Sequence, residues 1–172
     1  PPKSYEGALQ TITKLLHAAA GEVSGEQALP HFNIFLAPFI RGLKKEEVLE
    51  GIRNFLLMIN DANTTSSPNA LSIGLDLSIP RILSREEAYG AGGKVLGRYA
   101  EFTDESLLLA SAVMEALLED CKEGLRTNII PIINVQKKDL DDEEGLLYMA
   151  HKLAAETSLP LFANHSRSEG RN

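Results

Sequence analysis

The stretch Leu71–Pro80 reads LSIGLDLSIP. Leu71, Ile73, Leu75, Leu77 and Ile79 alternate with Ser72, Gly74, Asp76 and Ser78, the two-residue repeat of a strand whose faces meet different surroundings. Pro80 has no N–H to give to a ladder and ends it. The apolar pattern before this stretch has a different period, so here the chain passes from helices into a sheet.

Upstream, Tyr5, Ala8, Leu9, Ile12, Leu15, Leu16 and Ala19 recur at three- and four-residue steps, which predicts one face of a helix ending near Gly21. Phe32, Phe35, Leu36, Phe39 and Ile40 repeat that spacing up to Gly42, with Pro38 expected to kink or interrupt the piece. Lys44 to Ile59 reads as a third helix with Val48, Ile52, Phe55 and Ile59 inward, and Asp61–Asn69, DANTTSSPN, as a polar, turn-rich connection.

Downstream, Thr103 can cap a helix whose first turn carries Asp104 and Glu105 and whose stripe is Leu107, Ala110, Ser111, Met114, Leu117 and Leu118, ending at Gly124. The apolar run Ile129–Val135 follows. After it come an acidic stretch, a helix carrying Leu146, Leu147, Ala150, Leu153 and Ala154, and a short strand, LPLFAN, at Leu159–Asn164. Strands separated by helices pair most economically in parallel. The expected fold class is therefore α/β: an N-terminal helical layer over residues 1–60, then a βαβαβ segment with parallel strands over 70–164, then a flexible tail over 165–172.

Composition narrows the function classes. A chain of 172 residues can bury one full core. Its net charge of −7 and lack of a basic tract argue against DNA or RNA polymers as partners. A single cysteine, Cys121, rules out an internal disulfide framework and CxxC metal motifs, which suits a cytoplasmic location. No apolar run has the length of a membrane span. The chain begins with Pro1, which suits a processed protein and equally a piece of a longer one.

The glycine-rich stretch YGAGGKVLGRY, Tyr89–Tyr99, invites a phosphate-loop reading. A P-loop ending at Lys94 would need glycine at Ala88 and a hydroxyl residue at Val95, and a dinucleotide fingerprint from Gly90 would need its third glycine at Val95. Both tests fail, which leaves a surface loop whose glycines supply positive φ. His17, His31, His151 and His165 are too scattered to show a metal-ligand spacing, so no metal site is expected. Acidic neighbours Glu119 and Asp120 discourage a reactive thiolate at Cys121. The cluster Asp139, Asp141, Asp142, Glu143 and Glu144 reads as a solvated helix N-terminus. Ser72 and Asp76 stand on the polar strand face: they either line a cavity for a polar ligand or lie under a loop or solvent.

Several segments taken together and in order carry a resemblance. They are QALPHFNIFLAPFIRGLKKEEVLEGIRNFLLMIN at Gln27–Asn60, ALSIGLDLSIP at Ala70–Pro80, GAGGKVLGRYAEF at Gly90–Phe102, LLEDCKEGLRTNIIPIINV at Leu117–Val135, and LPLFAN. This series resembles the middle of the large subunit of anaerobic ribonucleoside-triphosphate reductases, from about Lys3 to Asn164, most specifically at FLAPFIRGL and LDLSIP. The resemblance implies part of a ten-stranded α/β barrel built of two parallel halves. Inside such a barrel a glycyl radical and a cysteine thiyl radical replace the ribose 2′-hydroxyl by hydrogen.

It further implies a homodimer, nucleoside triphosphates as substrates and effectors, a structural zinc and a radical-SAM activating protein for the complete enzyme. The family's glycyl-radical motif, zinc cysteines and finger-loop cysteine lie beyond a segment like this one, and another family cysteine lies upstream. No catalytic residue is therefore expected in this segment, Cys121 included, and the segment alone is expected to be inactive. The helices between Ser4 and Asn60 match the dimer and effector region, with Gln27, Asn33 and Asn60 as candidate effector contacts or, alternatively, caps and packing amides. Ser72 and Asp76 become candidates for the substrate side. The rival reading is a non-catalytic, stand-alone nucleotide-binding or dimerisation module.

Overall fold

The computed structural model describes residues 1–22, 25–65, 70–125, 127–141 and 145–165. The expected tail beyond His165 and residues 66–69 of the polar connection lie outside the described residues. In chain order the elements are α1 (Tyr5–Glu22), β1 (Gln27–Leu29), α2 (Phe32–Ile40), α3 (Lys45–Thr65), β2 (Leu71–Asp76), α4 (Arg81–Ser84), β3 (Glu87–Tyr89), β4 (Val95–Arg98), α5 (Thr103–Lys122), β5 (Ile129–Val135), α6 (Leu146–Thr157) and β6 (Leu161–Asn164).

The α/β class and the parallel pairing are as the periodicity predicts. Four strands form one sheet in the order β1-β2-β5-β6, every pair parallel. Ser72 pairs with Ile130, Gly74 with Ile132 and Asp76 with Asn134, so these six positions share one face. Ile73, Leu75, Ile129 and Ile133 point the other way, into a core closed by α2, α3, α5 and α6. That core runs from Tyr5 and Leu9 to Ala150 and Leu153, so the N-terminal helices and the sheet share one apolar interior.

Several local expectations are corrected. The short strand β1 was not predicted: three residues show no periodicity of their own, and pairing with Leu71–Ile73 alone makes them a strand. Pro38 sits inside a continuous α2. Its missing N–H removes the one ladder bond that the Ile34 carbonyl would receive, and the helix ends two residues later at Ile40. Phe35 is 43% exposed, its ring edge-on to Tyr99, while Asn33 and Ile34 are fully buried. The helix α3 runs on to Thr65, through the start of the expected connection.

In α5 the buried residues are Ser106, Leu109, Ala110, Ala112, Val113, Met114, Ala116 and Leu117, a wider face than the predicted stripe, because α2, α3 and α6 all pack on this helix. Thr103 lies within α5 and donates its hydroxyl to the Ala100 carbonyl, so it does not cap the helix. The glycine-rich stretch closes an antiparallel β3–β4 hairpin, and Gly92 and Gly93, both at φ 74°, make its turn. Asp139 is buried and accepts a hydrogen bond from the Gln136 N–H at 2.7 Å, closing a turn after β5 where a solvated acid was expected.

Candidate functional site at the carboxyl edge of the sheet

Each strand of the parallel sheet delivers a polar side chain at or just past its carboxyl end. His31 follows β1, Asp76 ends β2, Asn134 and Gln136 lie at the end of β5, and His165 follows β6. In parallel α/β sheets this edge is where loops and strand ends converge on ligands.

The local backbone explains how His31 arrives there. The chain leaves β1 and crosses over Gly74, where an added Cβ would stand 3.1 Å from the His31 nitrogen and 3.2 Å from Pro30 Cα. Only glycine admits that crossing without displacing it. His31 then takes φ 53°, ψ 33°, an αL conformation unusual for a residue with a side chain, and stands at the N-cap of α2. Its carbonyl accepts the N–H groups of Ile34 and Phe35.

This placement sets the imidazole against the sheet. His31 Nδ1 lies 2.8 Å from Asp76 Oδ2, with the carboxylate 1% exposed and the imidazole 34% exposed. Burial pushes the Asp76 carboxyl above the usual carboxylate range, while the hydrogen bond and charge of His31 and a hydrogen bond from Asn134 pull it partly back. Asn134 Oδ1 in turn lies 3.3 Å from His165 Nε2. A hydrogen-bonded chain, His31–Asp76–Asn134–His165, thus runs across the ends of all four strands.

Two recesses open on this chain and share His31 and His165 as walls. One, of about 290 Å³, is lined by His31, Asp76, Pro80, Arg81, Ile82, Gln136 and His165. The other, of about 220 Å³, follows the strand face past Ser72, Gly74 and Asn134. Both predicted strand-face residues, Ser72 and Asp76, therefore border or floor a cavity, although Ser72 is 4% exposed and points its hydroxyl at the Gln27 carbonyl, 3.4 Å away.

The amides predicted in the helical layer are not gathered at this site. Asn33 is fully buried and works as a clamp: its Nδ2 donates to the carbonyl of Asp76 at 2.9 Å and to Ser106 Oγ at 2.8 Å, and its Oδ1 accepts from the Asp76 N–H at 2.9 Å. Asn60 Oδ1 accepts from the Thr127 hydroxyl, which itself receives the Ile129 N–H at the start of β5. Gln27 donates to the Leu16 carbonyl at 3.2 Å beside a groove between α1 and β1 lined by Ile12, Leu15, Leu16 and Ala19. Sequence reasoning missed His31, Asn134, Gln136 and His165. The available signal was their position: Asn134 is the polar side chain in the otherwise apolar β5, and His31, Gln136 and His165 come within two residues after a strand ends.

Cys121 is half-buried on α5, its Sγ 3.8 Å from the Glu156 carbonyl, and lines neither recess. Among the described residues no group of three or more His, Cys, Asp or Glu side chains could hold a metal ion, and no helix is long and apolar enough to cross a membrane.

No curated protein sequence matches the chain at a significant level. Solved structures do. The chain is similar to the anaerobic ribonucleotide reductase from Thermotoga maritima with dATP bound in the specificity site, at a TM-score of 0.75 and 13% identity, over 96% of this chain and 30% of that one. It is similar to the same enzyme with citrate in the active site, at a TM-score of 0.74 and 12% identity, over 98% and 32% of the two chains. A third match is the complex with dATP and CTP, at a TM-score of 0.73 and 13% identity, over 95% and 29%. The chain thus spans about 30% of the length of these neighbours, and at such identities they show the fold. The profile of the anaerobic ribonucleoside-triphosphate reductase family matches residues 1–172, the whole sequence that forms this sheet and its polar edge, and the chain belongs to that family.

Proposed function

We propose that this chain forms one wall of the nucleotide-reducing site of an anaerobic ribonucleoside-triphosphate reductase, with the helices between Ser4 and Asn60 as its effector and dimer surface. The observation that carries the first part is the hydrogen-bonded chain His31–Asp76–Asn134–His165 across four parallel strand ends. A polar line of this kind beside Ile132 and exposed Leu161 is suited to a ligand with hydroxyl and anionic groups. Citrate in the active site of the Thermotoga enzyme and CTP in another of its complexes support that reading.

The complete reductase replaces the ribose 2′-hydroxyl by hydrogen through glycyl and thiyl radicals, in the cytoplasm and after activation by a radical-SAM partner. The described residues do not fit the structural zinc, so no step here runs through it. The part of this chain is to bind and orient. Regulation is assigned to the helical layer because Leu15 is 64% and Leu57 48% exposed on α1 and α3, and because Gln27 borders the α1–β1 groove. The dATP in the specificity site of the Thermotoga enzyme supports an effector of that class. Of the candidate amides, Gln27 and Asn60 are proposed as contacts, and Asn33 as the clamp that holds this layer to the sheet.

Equilibrium dialysis with CTP and with dATP, together with sedimentation, tests the proposal. Both nucleotides should bind without displacing each other, dATP should raise the dimer fraction, and Leu15→Glu should suppress that rise. Failure of both nucleotides to bind at millimolar concentration refutes it.

A further inference from the structure

The whole chain carries a net charge of −7, yet among the described residues the larger recess at the sheet edge is lined by Arg81, His31, His165 and a single carboxyl, Asp76. Burial favours the protonated form of that carboxyl, so the local balance is the reverse of the global one. Arg81 stands at the start of the short helix α4 and makes no ion pair among the described residues, whereas Arg41 and Arg53 hold Glu105 and Glu119. An arginine left unpaired beside a polar recess on an acidic protein is available to a ligand.

Two further groups give the recess a defined chemistry. His31 is tied through Nδ1 to Asp76 Oδ2 at 2.8 Å, which leaves Nε2 as the ring nitrogen that can engage a ligand. Gln136 is 5% exposed and donates Nε2–H to the Ser78 carbonyl at 2.9 Å, but its Oε1 is buried and has no partner among the described residues. A buried acceptor without a donor favours any ligand that supplies one. The volume of about 290 Å³ lies at the lower end of pockets that enclose whole small molecules, and suits the polar part of a larger ligand.

We propose that this recess is an oxyanion subsite that takes a phosphate or carboxylate group, with Arg81 supplying the charge, His31 Nε2–H a hydrogen bond, and Gln136 Oε1 an acceptor for a hydroxyl of the same ligand. Its identification with the phosphate of a nucleotide rests on the function proposed above. The subsite itself rests on the geometry.

The test titrates the chain with inorganic tripolyphosphate, CTP and cytidine at fixed pH and ionic strength, following the imidazole resonances of His31 and His165 by NMR. Tripolyphosphate and CTP should shift His31 saturably, and cytidine should not. Arg81→Gln, a change at an exposed position, should weaken both phosphorylated probes about tenfold or more, while Ile82→Ala on the same rim leaves them within about twofold. Tripolyphosphate binding as tightly as CTP upholds the oxyanion subsite and counts against nucleotide recognition at this edge. CTP that binds in dialysis without moving His31 overturns the subsite and leaves the nucleotide reading standing. An unchanged affinity in Arg81→Gln also overturns it.

Discussion

Replacing Asn33 by alanine should be among the most damaging single changes in this chain. The amide joins α2 to the end of β2 and to α5, and both it and its partners are buried, with Asn33 0%, Asp76 1% and Ser106 2% exposed. Truncation leaves the Asp76 N–H without its acceptor, a loss of about 1–3 kcal/mol for a buried donor. The donors withdrawn from the Asp76 carbonyl and the Ser106 hydroxyl each remove about 0.5–1.5 kcal/mol more. The sum is roughly 2–6 kcal/mol, a large part of the ~5–15 kcal/mol that stabilises a typical domain.

Asn33→Asp separates the contributions, because it keeps an acceptor for the Asp76 N–H but turns a carboxylate toward the carbonyls of Asp76 and Ser106. It should be at least as damaging at neutral pH and should recover in part in acid, when the protonated carboxyl can donate to one of them. Urea unfolding gives the free energies, and hydrogen exchange at the Asp76 amide reports the broken clamp directly. An Asn33→Ala protein within about 0.5 kcal/mol of the parent would refute the assignment, because that is the range of an unremarkable surface change.

Asp76→Asn tests the buried carboxyl. Because burial raises its folded-state pKa above the unfolded value, the parent loses stability as pH rises through that raised pKa, whereas the variant does not. The variant's advantage should therefore be absent near pH ~4 and grow toward neutrality; a difference in urea midpoint that stays constant across this range contradicts the burial argument. Gly74→Ala puts a methyl group 3.1 Å from the His31 nitrogen, and is expected to cost about 1–3 kcal/mol and to shift the His31 imidazole resonance as the chain over β2 moves aside. An unshifted His31 would show that the crossing has slack. Cys121→Ser removes only a long contact to the Glu156 carbonyl, so stability should stay within about 0.5 kcal/mol and CTP and dATP binding should be unchanged; loss of binding with an intact circular-dichroism spectrum would place the thiol in the site after all.

What the sequence determined by itself is carried by local repeats. The alternation from Leu71, the inward face Val48, Ile52, Phe55 and Ile59, and the succession of strand and helix periods led to a parallel α/β arrangement, and each of those α3 residues is at most 4% exposed. The ordered segments from Gln27 to Asn164 pointed to the reductase family, which the match over residues 1–172 bears out. Of the site, the alternation singled out Ser72 and Asp76, because a polar residue on a strand is visible within a few positions of its neighbours.

The remainder was settled by contacts between distant parts of the chain. Gln27–Leu29 is a strand only because Leu71–Ile73 offers it a ladder, and the buried face of α5 is broad because three helices share it. His31 and Asp76 are 45 positions apart, and His165 lies 31 positions beyond Asn134. Hydrophobic periodicity reports which side of an element is buried, whereas hydrogen-bond partners and desolvation depend on which elements lie alongside it. A histidine that looks solitary in the sequence therefore becomes part of a site once four strand ends meet at one edge.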